Sequence, residues 1–228
     1  MGERARIKYA VDIVFCIDCT GSMRKIIDMV KQNALNFYPD IVKIMAKKDK
    51  NISQLRLRVV AFRDYKADGN EAMLVTDFFD MPTEEVDFRD CVNSLVAKGG
   101  GDVPEDGLEA LAYAIKSNWN TEGDKKRQVI VVWTDAPTHE LGFAADSPNY
   151  PRGMARNLEE LSAWWGDAQN NGFVSNNAKR LVLFAPDQPA WNFIASNWDN
   201  VLFSPARPDG GLEEYDYNII LNSICNSI

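Results

Sequence analysis

Histidine is almost missing from this 228-residue chain, and with His139 as the sole example a histidine-rich zinc site is not expected. Cysteine is scarce as well. Cys16, Cys19, Cys91 and Cys225 lack the paired spacing of a zinc motif and read as free thiols in a reducing compartment. No apolar run approaches the length needed to cross a bilayer, so no membrane partner is expected. The charged start MGERARIKY leads straight into the first apolar block, which predicts no signal peptide and a cytoplasmic location. Basic clusters with interleaved aromatics are also wanting, and a formal charge of -8 opposes nucleic-acid binding, which depends on concentrated Lys and Arg. The local positive excess from Arg24 to Lys50 reads as the solvated side of an amphipathic helix or as a docking patch. The chain holds no internal repeat and no low-complexity linker.

What remains is the composition of a globular protein, 46% hydrophobic and 25% charged, at a length suited to one α/β domain over residues 1–228. The organising stretch is Val11 to Met23, VDIVFCIDCTGSM. Val11, Ile13, Val14, Phe15 and Ile17 form a near-continuous β-prone block, the pattern of a strand buried on both faces of a parallel sheet. Asp18 stands where that strand ends. Thr20 and Ser22 follow at steps of two around Gly21, so three hard oxygen donors can converge before a helix, an arrangement that suits a hard divalent cation. The same residues also fit a helix cap and first turn.

Helical and strand periods then alternate. Arg24–Lys48 carries Ile26, Val30, Ala34, Phe37 and Ile41 at helical spacing, with Pro39 expected to kink or divide it. Leu55–Phe62 reads as a strand and Met73–Phe79 as an antiparallel edge partner. Pro82–Val96 is helical, and in GGGDVPEDGLEAL from Gly99 the pattern places Pro104 in the first turn of another helix. A glycine-rich turn before a helix also suits phosphate, but no Lys follows, and Asp102, Glu105, Asp106 and Glu109 select a cation. Gln128–Trp133 is a buried strand that again ends at an aspartate, Asp135. Ala136–Asn157 is a long connection at the same edge, in the manner of a lid or recognition surface. Leu158–Gln169, Arg180–Ala185, Ala190–Asn197, Val201–Ser204 and Asp216–Ile228 continue the alternation, the last with Ile220, Leu221 and Ile224 inward, after an acidic turn at Asp209–Asp216. The sum is a doubly wound, mostly parallel sheet with one antiparallel edge and helices on both faces, a Rossmann-like α/β fold.

Three loops, at Asp18-Thr20-Ser22, Asp102 and Asp135, can meet at the carboxyl ends of the strands, where α/β sheets bind ligands. DCTGSM after a buried strand resembles the DxSxS motif of the von Willebrand factor type A domain, with Thr20 for the first serine. GGGDVPEDGLEAL and VVWTDAPTH resemble that family's second and third metal loops. The resemblance runs along essentially the whole chain and implies a metal-ion-dependent adhesion site. Asp18, Thr20, Ser22 and a loop-two residue would surround Mg²⁺, with Asp135 nearby, Mn²⁺ or Ca²⁺ being the alternatives. The match departs at loop two: many members have threonine, Asp102 is the nearest position here, and the GGGD and PE pattern is that of intracellular and bacterial members. Three carboxylates about a divalent ion leave a formal charge of about -1, and so a weaker pull on an acidic ligand than a neutral site exerts.

Two functions follow. The first is a non-catalytic module that docks a protein partner, through an acidic side chain at the metal, within a multiprotein or ATPase-linked assembly. The second is a metal-dependent phosphatase or hydrolase using Asp18. Arg24 and Lys25 are the only obvious phosphate-holding candidates, and no Ser-His-Asp order is compelling. His139, four residues after Asp135, reads either as a site residue or as an ordinary hydrogen-bonded loop histidine.

Overall fold

Strand β1 (Lys8–Asp18) occupies the middle of the sheet, because its apolar block has no polar face to offer water. In the computed structural model, which describes residues 7–206 and 217–227, β1 is buried from Tyr9 to its end. Its alternate residues serve two cores. Val11, Ile13, Phe15 and Ile17 join one, Val14 and Cys16 the other.

β1 pairs in parallel with β2 (Asn51–Phe62) on one side and β5 (Lys125–Trp133) on the other. β6 (Lys179–Pro186) and β7 (Val201–Ala206) extend the sheet in parallel beyond β5. β3 (Met73–Val75) and β4 (Phe79–Met81) both lie antiparallel to β2 at the far edge, giving the order β3-β2-β1-β5-β6-β7 with β4 beside β3 on β2. The edge expected as one strand is therefore two. At the break, Thr76 takes over the pairing through its hydroxyl, which accepts from Val59 N at 3.1 Å. Phe78 leaves the ladder to cover the Arg56 guanidinium at 4.4 Å and to meet Trp119 at 5.7 Å.

Helices α1 (Ile27–Lys47), α3 (Glu85–Ser94) and α7 (Tyr217–Ser227) supply residues to the first core, including Val30, Phe37, Phe88 and Leu221. α4 (Gly107–Ile115), α5 (Leu158–Trp165) and α6 (Pro189–Asn197) cover the opposite face, and a single turn, α2 (Tyr65–Asp68), follows β2. α1 is preceded by a 3₁₀ turn at Gly21–Lys25 and runs through Pro39 without dividing. The stripe Ile27, Val30, Ala34, Phe37, Ile41 and Met45 is buried on both sides of that proline, and its packing offsets an interior-proline cost of about 3 kcal/mol. Of the adjacent pair Trp164 and Trp165, only Trp165 is fully buried, stacked on Trp198 at 5.5 Å. The segment Asp209–Asp216 and the side chains of Ile220 and Ile224 lie outside the described residues.

Asp12 places a charge inside the sheet. Asp12 is paired across the β1–β2 register with Arg56, which donates from Nε and Nη2 at 2.8 and 2.7 Å, while Asn120 N adds a third bond at 2.6 Å. Removing the acid strands a half-buried guanidinium. Asp12→Ala is expected to cost about 3 kcal/mol, read as a lower denaturant midpoint at unchanged slope.

Candidate metal centre

Because β1 and β5 are parallel neighbours, with Ile17 opposite Trp133, the chain leaves both strands at the same edge and side by side. Asp18, fully buried, ends β1. Its Oδ1 accepts from Thr20 N at 2.8 Å and from the Thr20 hydroxyl at 2.6 Å, and its Oδ2 accepts from the Thr134 hydroxyl at 2.6 Å. Thr20 Oγ1 and Ser22 Oγ are 3.0 Å apart, and Ser22 donates to Asp135 Oδ1 at 2.8 Å. Thus four of the residues singled out by the sequence form one continuous chain of oxygens joining the first loop to the third.

The second loop is fastened to both. Gly21 N donates to Gly99 O at 3.0 Å and Lys98 N to Cys19 O at 3.0 Å, while Glu105 N donates to Pro137 O at 3.0 Å and His139 N to Glu105 O at 2.9 Å. That bridge to the third loop keeps the stretch around Glu105 extended, so α4 starts at Gly107 instead of at Pro104. The consequence is that Glu105 turns inward. A Cβ on Gly100, whose φ is +84°, would lie 2.7 Å from Glu105 Oε1 and 3.3 Å from Thr20 Cβ, so only glycine fits between these two side chains. Ser22, Gly99–Gly101, Asp102, Glu105 and Asp135 line a cavity of about 250 Å³.

Asp102 shares that cavity but is mostly exposed, and its carboxylate faces His139, with Oδ1 at 3.3 Å from Nε2. Glu105 is instead the buried acid of loop two, 4% exposed, and its Oε2 has no hydrogen-bond partner. Burial pushes the Glu105 carboxyl up to about 9, helped by the charges of Asp18, Asp64, Asp68 and Asp106. Burial also lifts Asp18 to about 6, against the opposing hydrogen bonds from Thr134 and Thr20. Asp135 is raised for the same first reason, burial, with the Ser22 bond opposing. Glu105 and Asp135 on the cavity wall, and Asp18 buried behind Thr20 and Ser22, are three acids held above the usual carboxylate range with no positive charge on the cavity lining. Oxygen donors of this kind are what hard divalent ions take.

Residues 12–143 match the family model of the von Willebrand factor A domain. The chain belongs to that family. The matched span of this von Willebrand factor A domain contains Asp18, Thr20, Ser22, Asp102, Glu105 and Asp135. Among curated relatives, alpha-protein kinase vwkA of Dictyostelium discoideum is 26% identical over 150 residues, which is 65% of this chain. The match spans only 22% of that kinase. Among solved structures, the pilus adhesin SpaC of Lactobacillus rhamnosus GG superposes with a TM-score of 0.58 over 97% of this chain and 31% of the adhesin, at 13% identity. That likeness is one of fold. Domains of this family are general protein-interaction modules.

Thr134 and Glu105 were not among the site residues expected from the sequence, Glu105 being named only as one of the acids that favour a cation. Thr134 was legible only as the residue before Asp135, although its hydroxyl is what holds Asp18 Oδ2. Glu105 lay inside a stretch whose pattern also fits the first turn of a helix, and a helical Glu105 would not have met the third loop. A signal that could have found it is the glycine run itself, since Gly100 combines a φ of +84° with the close approach of the Glu105 side chain.

Proposed function

We propose that this von Willebrand factor A domain is a non-catalytic docking module that engages a protein partner through Mg²⁺ held by Asp18, Thr20, Ser22 and Glu105. Asp135 lies in reach through Ser22, and Asp102 stands at the rim. The observation that carries this reading is the unbroken Asp18-Thr20-Ser22-Asp135 oxygen chain with the unpartnered Glu105 oxygen beside it. When bound, the ion would supply an open coordination position for an acidic side chain of the partner. The chain's own residues do the rest: Thr134 and Thr20 orient the Asp18 carboxylate, and the Glu105 bridge ties loop two to loop three.

With Asp18, Glu105 and Asp135 all ionised, a divalent ion leaves a formal charge of about -1, so capture of an acidic ligand would be weaker than at a neutral site. Small octahedral Mg²⁺, which keeps several waters, suits few short donors better than Ca²⁺, with Mn²⁺ as the softer substitute. The cavity lining includes no Lys or Arg that could hold a phosphate, which favours docking over hydrolysis. The four free cysteines support a reducing, cytoplasmic setting.

Calorimetric titration of the metal-stripped protein tests the reading. Mg²⁺ is expected to bind with one-to-one stoichiometry, and Asp18→Ala and Glu105→Gln are each expected to weaken it by about tenfold or more. Unchanged Mg²⁺ affinity in both variants, with both folded, would refute the assignment.

A further inference from the structure

A second group of buried ligand-type residues comes together from three different loops. Asp64 follows β2, Asp106 precedes α4 and His139 belongs to the third loop; one ligand atom from each lies within 4.8 Å of the others. Atoms bound to a common ion at about 2.0–2.2 Å sit about 3–4 Å apart, so little movement is needed to close on one. All three residues are buried, with 2%, 0% and 6% of their surfaces exposed.

Acidic side chains meet in many places without holding an ion, so the histidine decides the matter. His139 Nδ1 lies 3.2 Å from Asp106 Oδ1, a contact that an ion shared by the two would replace, while Asp106 Oδ2 accepts from Tyr65 N at 2.6 Å and the imidazole face stacks on Phe143 at 4.1 Å. Nε2 is buried and has no hydrogen-bond partner. Asp102 Oδ1 is 3.3 Å away but off the line a hydrogen bond requires. Asp64 spends Oδ1 on Lys66 N and Ala67 N and turns Oδ2 toward Gly101, 3.0 Å from where a Cβ would stand. The neighbouring cations are engaged elsewhere. Arg63 donates to the carbonyls of Cys19, Glu71 and Val96, Lys66 lies against Phe143 and Asp146, and Lys98 pairs with Glu71.

We propose that Asp64, Asp106 and His139 form a second cation site, separate from the Asp18 site, which takes a first-row transition ion of the Zn²⁺ class in preference to Mg²⁺. An imidazole nitrogen among carboxylates is a borderline donor set that Zn²⁺ and Mn²⁺ accept and Mg²⁺ does not favour. Asp102 is placed to add an oxygen at the rim. Because its ligands come from the loop after β2, the start of α4 and the third loop, such an ion would clamp the second and third loops, both of which line the cavity beside Ser22.

The single histidine makes the test direct. In metal-stripped protein first saturated with Mg²⁺, the imidazole ¹⁵N resonances of His139 are followed while Zn²⁺ is added, in wild type, Asp64→Asn and Asp18→Ala. The expected result is a shift complete near one equivalent, weakened by about tenfold or more in Asp64→Asn and retained in Asp18→Ala. Calorimetry of His139→Gln, which needs no imidazole signal, is expected to show loss of Zn²⁺ uptake with Mg²⁺ uptake intact. No imidazole shift in excess Zn²⁺, or a shift lost in Asp18→Ala and kept in Asp64→Asn, would overturn the proposal. Either failure leaves the Mg²⁺ titration above unaffected, so the two sites stand or fall separately.

Discussion

Stripped of divalent cations, the protein is expected to lose stability as the pH rises from about 4 to about 9, and to regain it in millimolar Mg²⁺. The cause is two buried acids, Asp18 at the end of β1 and Glu105 on the cavity wall. Asp18 is lifted from 3.8 to about 6, first by burial and against its hydrogen bonds to Thr134 and Thr20. Glu105 is lifted from 4.5 to about 9, first by burial and then by Asp18 and its acidic neighbours. A carboxyl whose value is raised by folding keeps its proton in the folded chain at a pH where the unfolded chain has already released it. The unfolded state then binds fewer protons, and stability falls with rising pH by about 1.4 kcal/mol per pH unit for each such group.

For Asp18 that window runs from 3.8 to about 6, which amounts to a loss on the order of 2–3 kcal/mol; Glu105 continues the decline toward about 9. Mg²⁺ competes with those protons, so its stabilising effect should grow with pH. Melting temperatures in chelator and in Mg²⁺ are expected to lie close together near about pH 5 and to separate by roughly 5–10 °C near about pH 8. Parallel profiles at all pH values would mean that these acids do not face the ion.

How much of this could be read from the amino-acid order depends on which residues act through local pattern and which through topology. β1 was legible because an apolar block without alternation suits only a strand covered on both faces, and Asp18, Thr20 and Ser22 were legible because one turn carries all three. Asp135 could be found by analogy with Asp18, as the acid following a second buried strand. Glu105 could not, because its role requires residues near Pro104 to pair with the third loop, and local pattern there fits a helix start equally well. The split of β3 from β4 was hidden for a similar reason: Phe78 abandons the ladder for Arg56 and Trp119, both remote in sequence. Asp64 carries no motif and Asp106 stood only as one acid of the second-loop stretch, so it is the adjacency of β2, α4 and the third loop that brings them to His139.

The same dependence on remote packing leads to Trp191 in α6, a residue that touches no proposed ligand. Trp191 is fully buried, its Nε1 donates to Ala136 O at 3.2 Å, and its ring lies so close to the start of α4 that a Cβ on Gly107 would come within 2.8 Å of it. It therefore wedges between the residue after Asp135 and the helix that follows Glu105, and sets how far apart the second and third loops stand. Trp191→Ala is expected to cost about 4 kcal/mol, from lost burial and from the cavity left behind. Trp191→Phe keeps most of the ring volume but loses the N–H, and is expected to cost about 1–2 kcal/mol because Ala136 O is left with only the long contact to the Thr134 hydroxyl at 3.4 Å. If loop spacing sets the metal site, Mg²⁺ affinity falls in both variants, measured by calorimetry at a temperature where each remains folded. A large stability loss with unchanged Mg²⁺ affinity would instead confine Trp191 to the core and leave Glu105 and Asp135 held by their own backbone bonds alone.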